Sequence, residues 1–201
     1  PAIVMQSYIP ISVLLAWWLL GERFAWRTGS AIALSFAGVL VLGFDPLVLD
    51  HPASLAMMLF SAFLIALGTV FMRGLSGIDA ISLQGWTALI GILPLLAISA
   101  AIEPSGFAAL RHAHWPAWGA VLYSAVFASM IGHSAFYRLV QRHPVATVMP
   151  YLLLTPVFAV ALGILVWGDR PGPQLWIGGT MVIGGVSIIA LRARAKALGT
   201  S

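Results

Sequence analysis

An ionisable side chain inside an apolar run is costly to bury in a membrane, and His133 is such a side chain. With Ser129, Ser134 and Tyr137 it makes a polar patch at helical spacing. That patch suits contact with a polar solute or proton handling, and equally an interhelical hydrogen bond. A second polar set is Thr147, Tyr151 and Thr155, whose spacing puts them on one helix face beside Pro150 and Pro156. Each proline removes a backbone donor and can leave a carbonyl unpaired one turn earlier. Gln6 and Pro10 are likewise one turn apart. Such faces suit the amino and carboxyl groups of a small zwitterion; the competing reading is proline kinks needed only for packing. Tyr8, Trp86 and Tyr123 offer an apolar wall, and Gln84 and Thr87 add hydrogen-bonding capacity, with core packing as the alternative for each. The candidate substrate-binding residues are therefore Gln6, Tyr8, Pro10, Trp86, Tyr123, His133, Ser134, Thr147, Tyr151, Thr155 and Pro156.

Catalysis finds no support in the chain. HExxH, GxSxG and the phosphate-cradling GxxxxGK[ST] are absent, so neither a catalytic residue nor a nucleotide-driven pump is expected. The acidic residues Glu22, Asp45, Asp50, Asp79, Glu103 and Asp169 lie in loops or at the ends of apolar runs, which leaves no carboxylate relay across the membrane in this chain. His112 and His114 are two apart, but no second ligand cluster accompanies them, so no metal and no cofactor is predicted. The segment EPSGFAALRHAHWPAW reads instead as a short interfacial helix ending in Trp115 and Trp118. There is no cysteine, which removes thiolate chemistry and disulfides.

The elements that carry these residues follow from composition. With 61% hydrophobic and 8% charged residues and a mean hydropathy of +1.00, the 201-residue chain has too few polar side chains to cover a water-soluble globule. In hydrocarbon every backbone N–H and C=O needs an internal partner, so each long apolar run reads as a spanning helix. Alternation of period 2 is absent, which argues against a barrel. Seven spans are predicted, at residues 2–20, 28–43, 53–72, 81–102, 116–137, 144–167 and 175–191. Trp17, Trp18, Trp26, Trp115, Trp118, Trp167 and Trp176 fall near span ends, as interfacial aromatics do.

Eight basic residues, Arg23, Arg27, Arg73, Arg138, Arg142, Arg192, Arg194 and Lys196, lie on one side of these spans, against Arg111 and Arg170 on the other. Basic residues are retained on the cytoplasmic side, which predicts a cytoplasmic C-terminus and, with seven spans, an outside N-terminus. The net charge of +4 then needs no nucleic-acid partner.

Two phrases echo each other: LLGERFAWRTG from Leu19 and VWGDRPGPQLWIGG from Val166. Aligning them pairs Pro10 with Pro156, Gly21 and Glu22 with Gly168 and Asp169, and Gly38 with Gly185, at offsets of 146 or 147 residues. The spans that carry the two prolines are five apart and so cross in opposite directions, which makes the echo an inverted repeat. Such repeats, with Pro or Gly interrupting corresponding helices, are typical of secondary transporters. Glu22 and Asp169 sit where a carboxylate favours the start of the next helix, with coupling or gating as the other reading. Gly29, Ala33 and Ala37, and Gly178, Gly179, Gly184 and Gly185, form small-residue faces for close helix contact.

The phrases PISVLLAWWLLGERFAWRTGSAIALSFAGVLVLG and HPVATVMPYLLLTPVFAVALGILVWGDRPGPQLWIGGTMVIGGVSIIAL resemble the EamA domain of the drug/metabolite transporter superfamily. Its pattern is a membrane proline, about a dozen residues to Gly-Glu, then a glycine-bearing helix. Asp169 departs from it where Glu is usual. The resemblance implies an all-α polytopic membrane protein of ten helices in two inverted five-helix repeats, with both ends inside. The seven spans here would then be residues 1–45 as the last two helices of a first repeat, 52–193 as a complete second repeat, and 194–201 as a cytoplasmic tail, with three further helices upstream. It implies a bacterial inner-membrane exporter of amino acids or related small amphipathic metabolites, working by alternating access in the lipid bilayer as a monomer or homodimer. A seven-helix receptor or sensor is the alternative, since the topology fits it. A retinal protein would need a lysine in its last span, and Lys196 lies beyond that span.

Overall fold

Proline at position 10 has no N–H to donate, and its ring collides with the carbonyl four residues earlier. The first span accordingly breaks at Gln6 and Ser7, giving α1 (Ala2–Met5) and α2 (Tyr8–Leu20) where one helix over residues 2–20 was expected. The break is closed locally: Ser7 Oγ donates to Val4 O at 2.6 Å, and the N–H of Ile9 donates to Gln6 O at 3.0 Å.

The computed structural model describes residues 2–43, 50–75, 77–103, 106, 113–168 and 172–197. The remaining helices are α3 (Trp26–Gly43), α4 (Pro52–Gly74), α5 (Ala80–Ile102), α6 (Trp115–Arg142), α7 (Val145–Val166) and α8 (Pro173–Ala197). All six are long and apolar enough to cross a membrane, and α2 is a shorter apolar helix. The chain is thus an all-α polytopic membrane protein. Helix α6 continues five residues past the predicted end, because SAFYRLVQR is amphipathic and can run on at the membrane surface. Trp115 and Trp118 lie in the first turn of α6, after the cap residue His114 and around Pro116, and do not close an interfacial helix. The greater part of the segment before them, with His112, lies outside the described residues. Helix α8 likewise runs on from Leu191 to Ala197 through its basic end.

Both echoed phrases end a helix in the same way. Gly21 and Gly168 take φ of +66° and +70°, the left-handed conformation that a side chain disfavours. The Gly21 N–H returns to Ala16 O, and the Gly168 N–H to Gly163 and Ile164 O.

Two compact units share the chain: Pro1–Gly74 with His143–Ser201, and Leu75–Arg142. In the first, α2 packs on α4 and on the early part of α7, and the closest pairing is α3 with α8. That pair joins the helices that follow the two echoed phrases. A Cβ on Gly38 would stand 2.6 Å from Gly178 O, and one on Gly185 would stand 2.6 Å from Ala31 O. Ala31 and Gly178 are themselves 147 residues apart, like Gly38 and Gly185, so the two close approaches are images of each other. Between them Ser35 Oγ donates to Val182 O at 3.4 Å, again across 147 residues. As the contact moves back along α3 it moves forward along α8, which makes the pair antiparallel and centres it on repeat-related residues.

In the second unit α5 packs against α6. Asp79 caps α5 by accepting from the N–H groups of Ile81 and Ser82 at 3.0 and 3.3 Å. Gln141 Nε2 near the end of α6 donates to Leu75 O and Ile78 O at 2.9 and 3.0 Å, fixing the approach to α5. Most of the surface of α5 is uncovered apolar side chain, as a lipid-facing or partner-facing helix requires.

Candidate substrate-binding site

Over Ser124–His133 the backbone of α6 widens into a π-helix before returning to α-helix at Ser134–Arg142. Wide turns are uncommon and shift the angular position of every residue that follows. Here they separate the polar patch expected from the spacing. Ser129, Ser134 and Arg138 line a hollow of about 790 Å³ against Gln84, Gly85 and Ala88 of α5. His133 is exposed and not part of that lining; its ring stacks on Tyr137 at 6.1 Å.

The hollow has mainly apolar walls, and two of its polar atoms are buried without a hydrogen-bond partner: Gln84 Oε1 and Ser134 Oγ. A buried polar atom left unpaired costs about 1–3 kcal/mol, so both are poised for a ligand or a water. The acceptor of Gln84 fits an ammonium, the hydroxyl of Ser134 donates or accepts, and Arg138 presents a permanent cation suited to a carboxylate. Gln84 was legible as hydrogen-bonding capacity, and the Ile81, Gln84, Gly85 and Ala88 spacing marks one face of α5. Arg138 reads in the sequence only as a charge marker for orientation, although its position one turn after Ser134 places it on the same face.

The other candidates are distributed elsewhere. Trp86 and Tyr123 are exposed and outside the hollow, with Tyr123 stacked on Phe127 at 4.9 Å. In the first unit, Met149–Leu154 winds as a 3-10 helix around Pro150, at three residues per turn. The four-residue spacing of Thr147, Tyr151 and Thr155 therefore no longer defines one face. Tyr151 and Thr155 are exposed, while Thr147 lines a separate basic hollow with Arg23, Arg27 and Arg192. Gln6 sits at the α1–α2 break, Tyr8 and Pro10 in the first turn of α2, and Pro156 near the start of the α-helical segment Thr155–Leu162, all half-buried.

Of the structural pair, Asp169 lies outside the described residues. Glu22 turns away from the helix that follows it. Its Oε1 accepts from Arg73 Nε at the end of α4 at 3.1 Å, and its Oε2 accepts from the Val145 N–H, the first of α7, at 2.9 Å. One carboxylate thus joins the α2–α3 turn, the end of α4 and the start of α7, and satisfies an orphan helix donor. Among the described residues no group of three His, Asp or Glu side chains is placed to hold a metal ion.

Apolar spans, a repeated proline-and-glycine frame and a mainly apolar hollow holding a few polar atoms describe a polytopic membrane protein. The chain belongs to the EamA-like transporter family, whose model matches residues 53–191. It is 28% identical over 205 residues to a "Probable amino-acid metabolite efflux pump" of Escherichia coli (strain K12), covering 96% of this chain and 68% of that protein. It is 29% identical over 185 residues to a "Probable terminal-alkyne amino-acid exporter" of Streptantibioticus cattleyicolor, covering 90% of this chain and 60% of the relative. A solved crystal structure superposes with a TM-score of 0.79 at 20% identity, over 96% of this chain and 67% of that one, which shows the shared fold. Family membership removes the receptor reading.

Proposed function

We propose that the protein exports small amphipathic metabolites, amino acids or their derivatives, across a bacterial inner membrane by alternating access, with its C-terminus in the cytoplasm. The observation that carries this reading is the pair of unpartnered atoms, Gln84 Oε1 and Ser134 Oγ, in one mainly apolar hollow that also holds Arg138. An amino acid needs an acceptor for its ammonium, a donor for its carboxylate and an apolar wall for its side chain, and the hollow supplies all three. Supporting it are two relatives, one named a probable amino-acid metabolite efflux pump and the other a probable terminal-alkyne amino-acid exporter.

The test is uptake of labelled amino acids into everted vesicles containing the chain. Gln84→Leu and Ser134→Ala are expected to lower transport about tenfold each, from losing one hydrogen bond to a charged or polar ligand group at roughly 1.5 kcal/mol. Thr87→Ala is the control: its hydroxyl is already bonded to Leu83 O at 2.8 Å within its own helix, and transport should be unchanged. Full activity in both hollow variants would remove the hollow from the substrate path.

A further inference from the structure

The first unit contains a second hollow that the transport reading leaves unused. Its volume is about 520 Å³, and it lies where the start of α3, the start of α7 and the last turns of α8 meet. Arg23, Arg27 and Arg192 line it together with the hydroxyl-bearing Thr28 and Thr147. Among the described residues no carboxylate is part of that lining. Among the described residues Glu22, the acidic neighbour of Arg23, is committed to Arg73 and the Val145 N–H. Three arginines therefore line one hollow with no carboxylate among its described lining residues, and Nη1 of Arg192 is buried with no hydrogen-bond partner.

A permanently charged donor withdrawn from water and left unpaired is unfavourable unless an anion completes it. Several donors converging from different directions suit a group with several acceptor oxygens, which favours a phosphoryl group over a planar carboxylate. The walls beside the arginines are hydrocarbon, from Phe24, Ile188 and Ile189. At the α3 end of the site, Trp26 is exposed and the Arg27 guanidinium lies 5.7 Å from the centre of its ring, an arrangement that belongs at the depth of the lipid headgroups. Basic pockets between spanning helices on the cytoplasmic side hold anionic lipid headgroups in this manner.

We propose that this hollow is a binding site for the phosphoryl oxyanion of an anionic amphiphile, held by Arg23, Arg27 and Arg192 with the apolar part of the ligand along Ile188 and Ile189. The chemistry is shared by a phospholipid headgroup and a free phosphate, and the ligand's tails distinguish the two sources.

Thermal unfolding of the detergent-purified chain tests this with three additions: phosphatidylglycerol, diacylglycerol with the same tails, and inorganic phosphate. The expected result is a rise in Tm of roughly 5 °C or more with saturating phosphatidylglycerol and none with diacylglycerol. The rise should be lost in Arg192→Gln and in the double variant Arg23→Gln/Arg27→Gln. A comparable, arginine-dependent rise with inorganic phosphate would keep the site and assign it to a soluble anion. If Arg192→Gln does not fold, the double variant decides alone, because Arg23 and Arg27 are exposed. A rise with phosphatidylglycerol no greater than with diacylglycerol and none with phosphate, or a rise that survives in the arginine variants, would overturn the proposal.

Discussion

Glu22 shows how much a single carboxylate can hold when its surroundings are half dry. Its side chain is 15% exposed and that of Arg73 26%, so the pair is neither a free surface bridge nor a fully buried one. The hydrogen bond to the Val145 N–H adds a contact that neutral glutamine can keep only in weakened form. Glu22→Gln is therefore expected to cost about 2 kcal/mol, seen as a Tm lower by roughly 4–8 °C in detergent. Glu22→Asp should lose nearly as much, because the shorter side chain cannot reach α4 and α7 together. An unchanged Tm in both variants would mean that the carboxylate does not fasten these helix ends. The Gln84 and Ser134 pair is the opposite case, with polar atoms buried and unpaired inside the protein.

Helices gain little by burying apolar surface when lipid is as apolar as they are, so close packing has to come from shape. The α3–α8 pair achieves it with small residues at two image-related points, Gly38 against Gly178 and Ala31 against Gly185. An added methyl at Gly185 meets the Ser35 side chain and the α3 backbone, and backbone does not yield as a long side chain can. Gly185→Ala should cost about 1–3 kcal/mol by overpacking. Its neighbour Gly184 has nothing within 4 Å of a Cβ, and Gly184→Ala should be neutral or stabilising by up to about 1 kcal/mol through helix propensity. Comparing the two variants by thermal unfolding checks the pairing, and equal effects would refute it. The π-helical stretch of α6 and the 3-10 stretch of α7 work at this same level, since each resets which side chains share a face.

For the entire chain, membrane orientation is the property most exposed to a direct experiment. The bias of basic residues predicts that the end of α8 faces the cytoplasm. Because the chain has no cysteine, a single introduced thiol reports without background. Arg194→Cys should react with a membrane-impermeant maleimide in everted vesicles and not in intact cells. Labelling in intact cells would invert the proposed direction of transport. The family matched over residues 53–191 fixes the class of protein as a transporter.

The sequence by itself determined the membrane class and six of the spans to within about six residues, because these follow from length, composition and local backbone demands. Gly21 and Gly168 are legible for the same reason: a helix that ends in a left-handed residue calls for glycine whatever surrounds it. The break before α2 also follows from a local cause, the ring of Pro10, although the spacing alone suggested one continuous helix. Only the tertiary structure decided which polar residues meet. Apolar spans look alike on every side, so periodicity cannot tell a lipid-facing face from a packed one. The wide turns that bring Ser129 and Ser134, five apart, towards one face arise inside a stretch whose residues are compatible with ordinary α-helix. Glu22 finds partners 51 and 123 residues away, and the arginines at 23 and 192 converge from opposite ends of the chain. Such meetings depend on how the helices pack together, which no local stretch of sequence records.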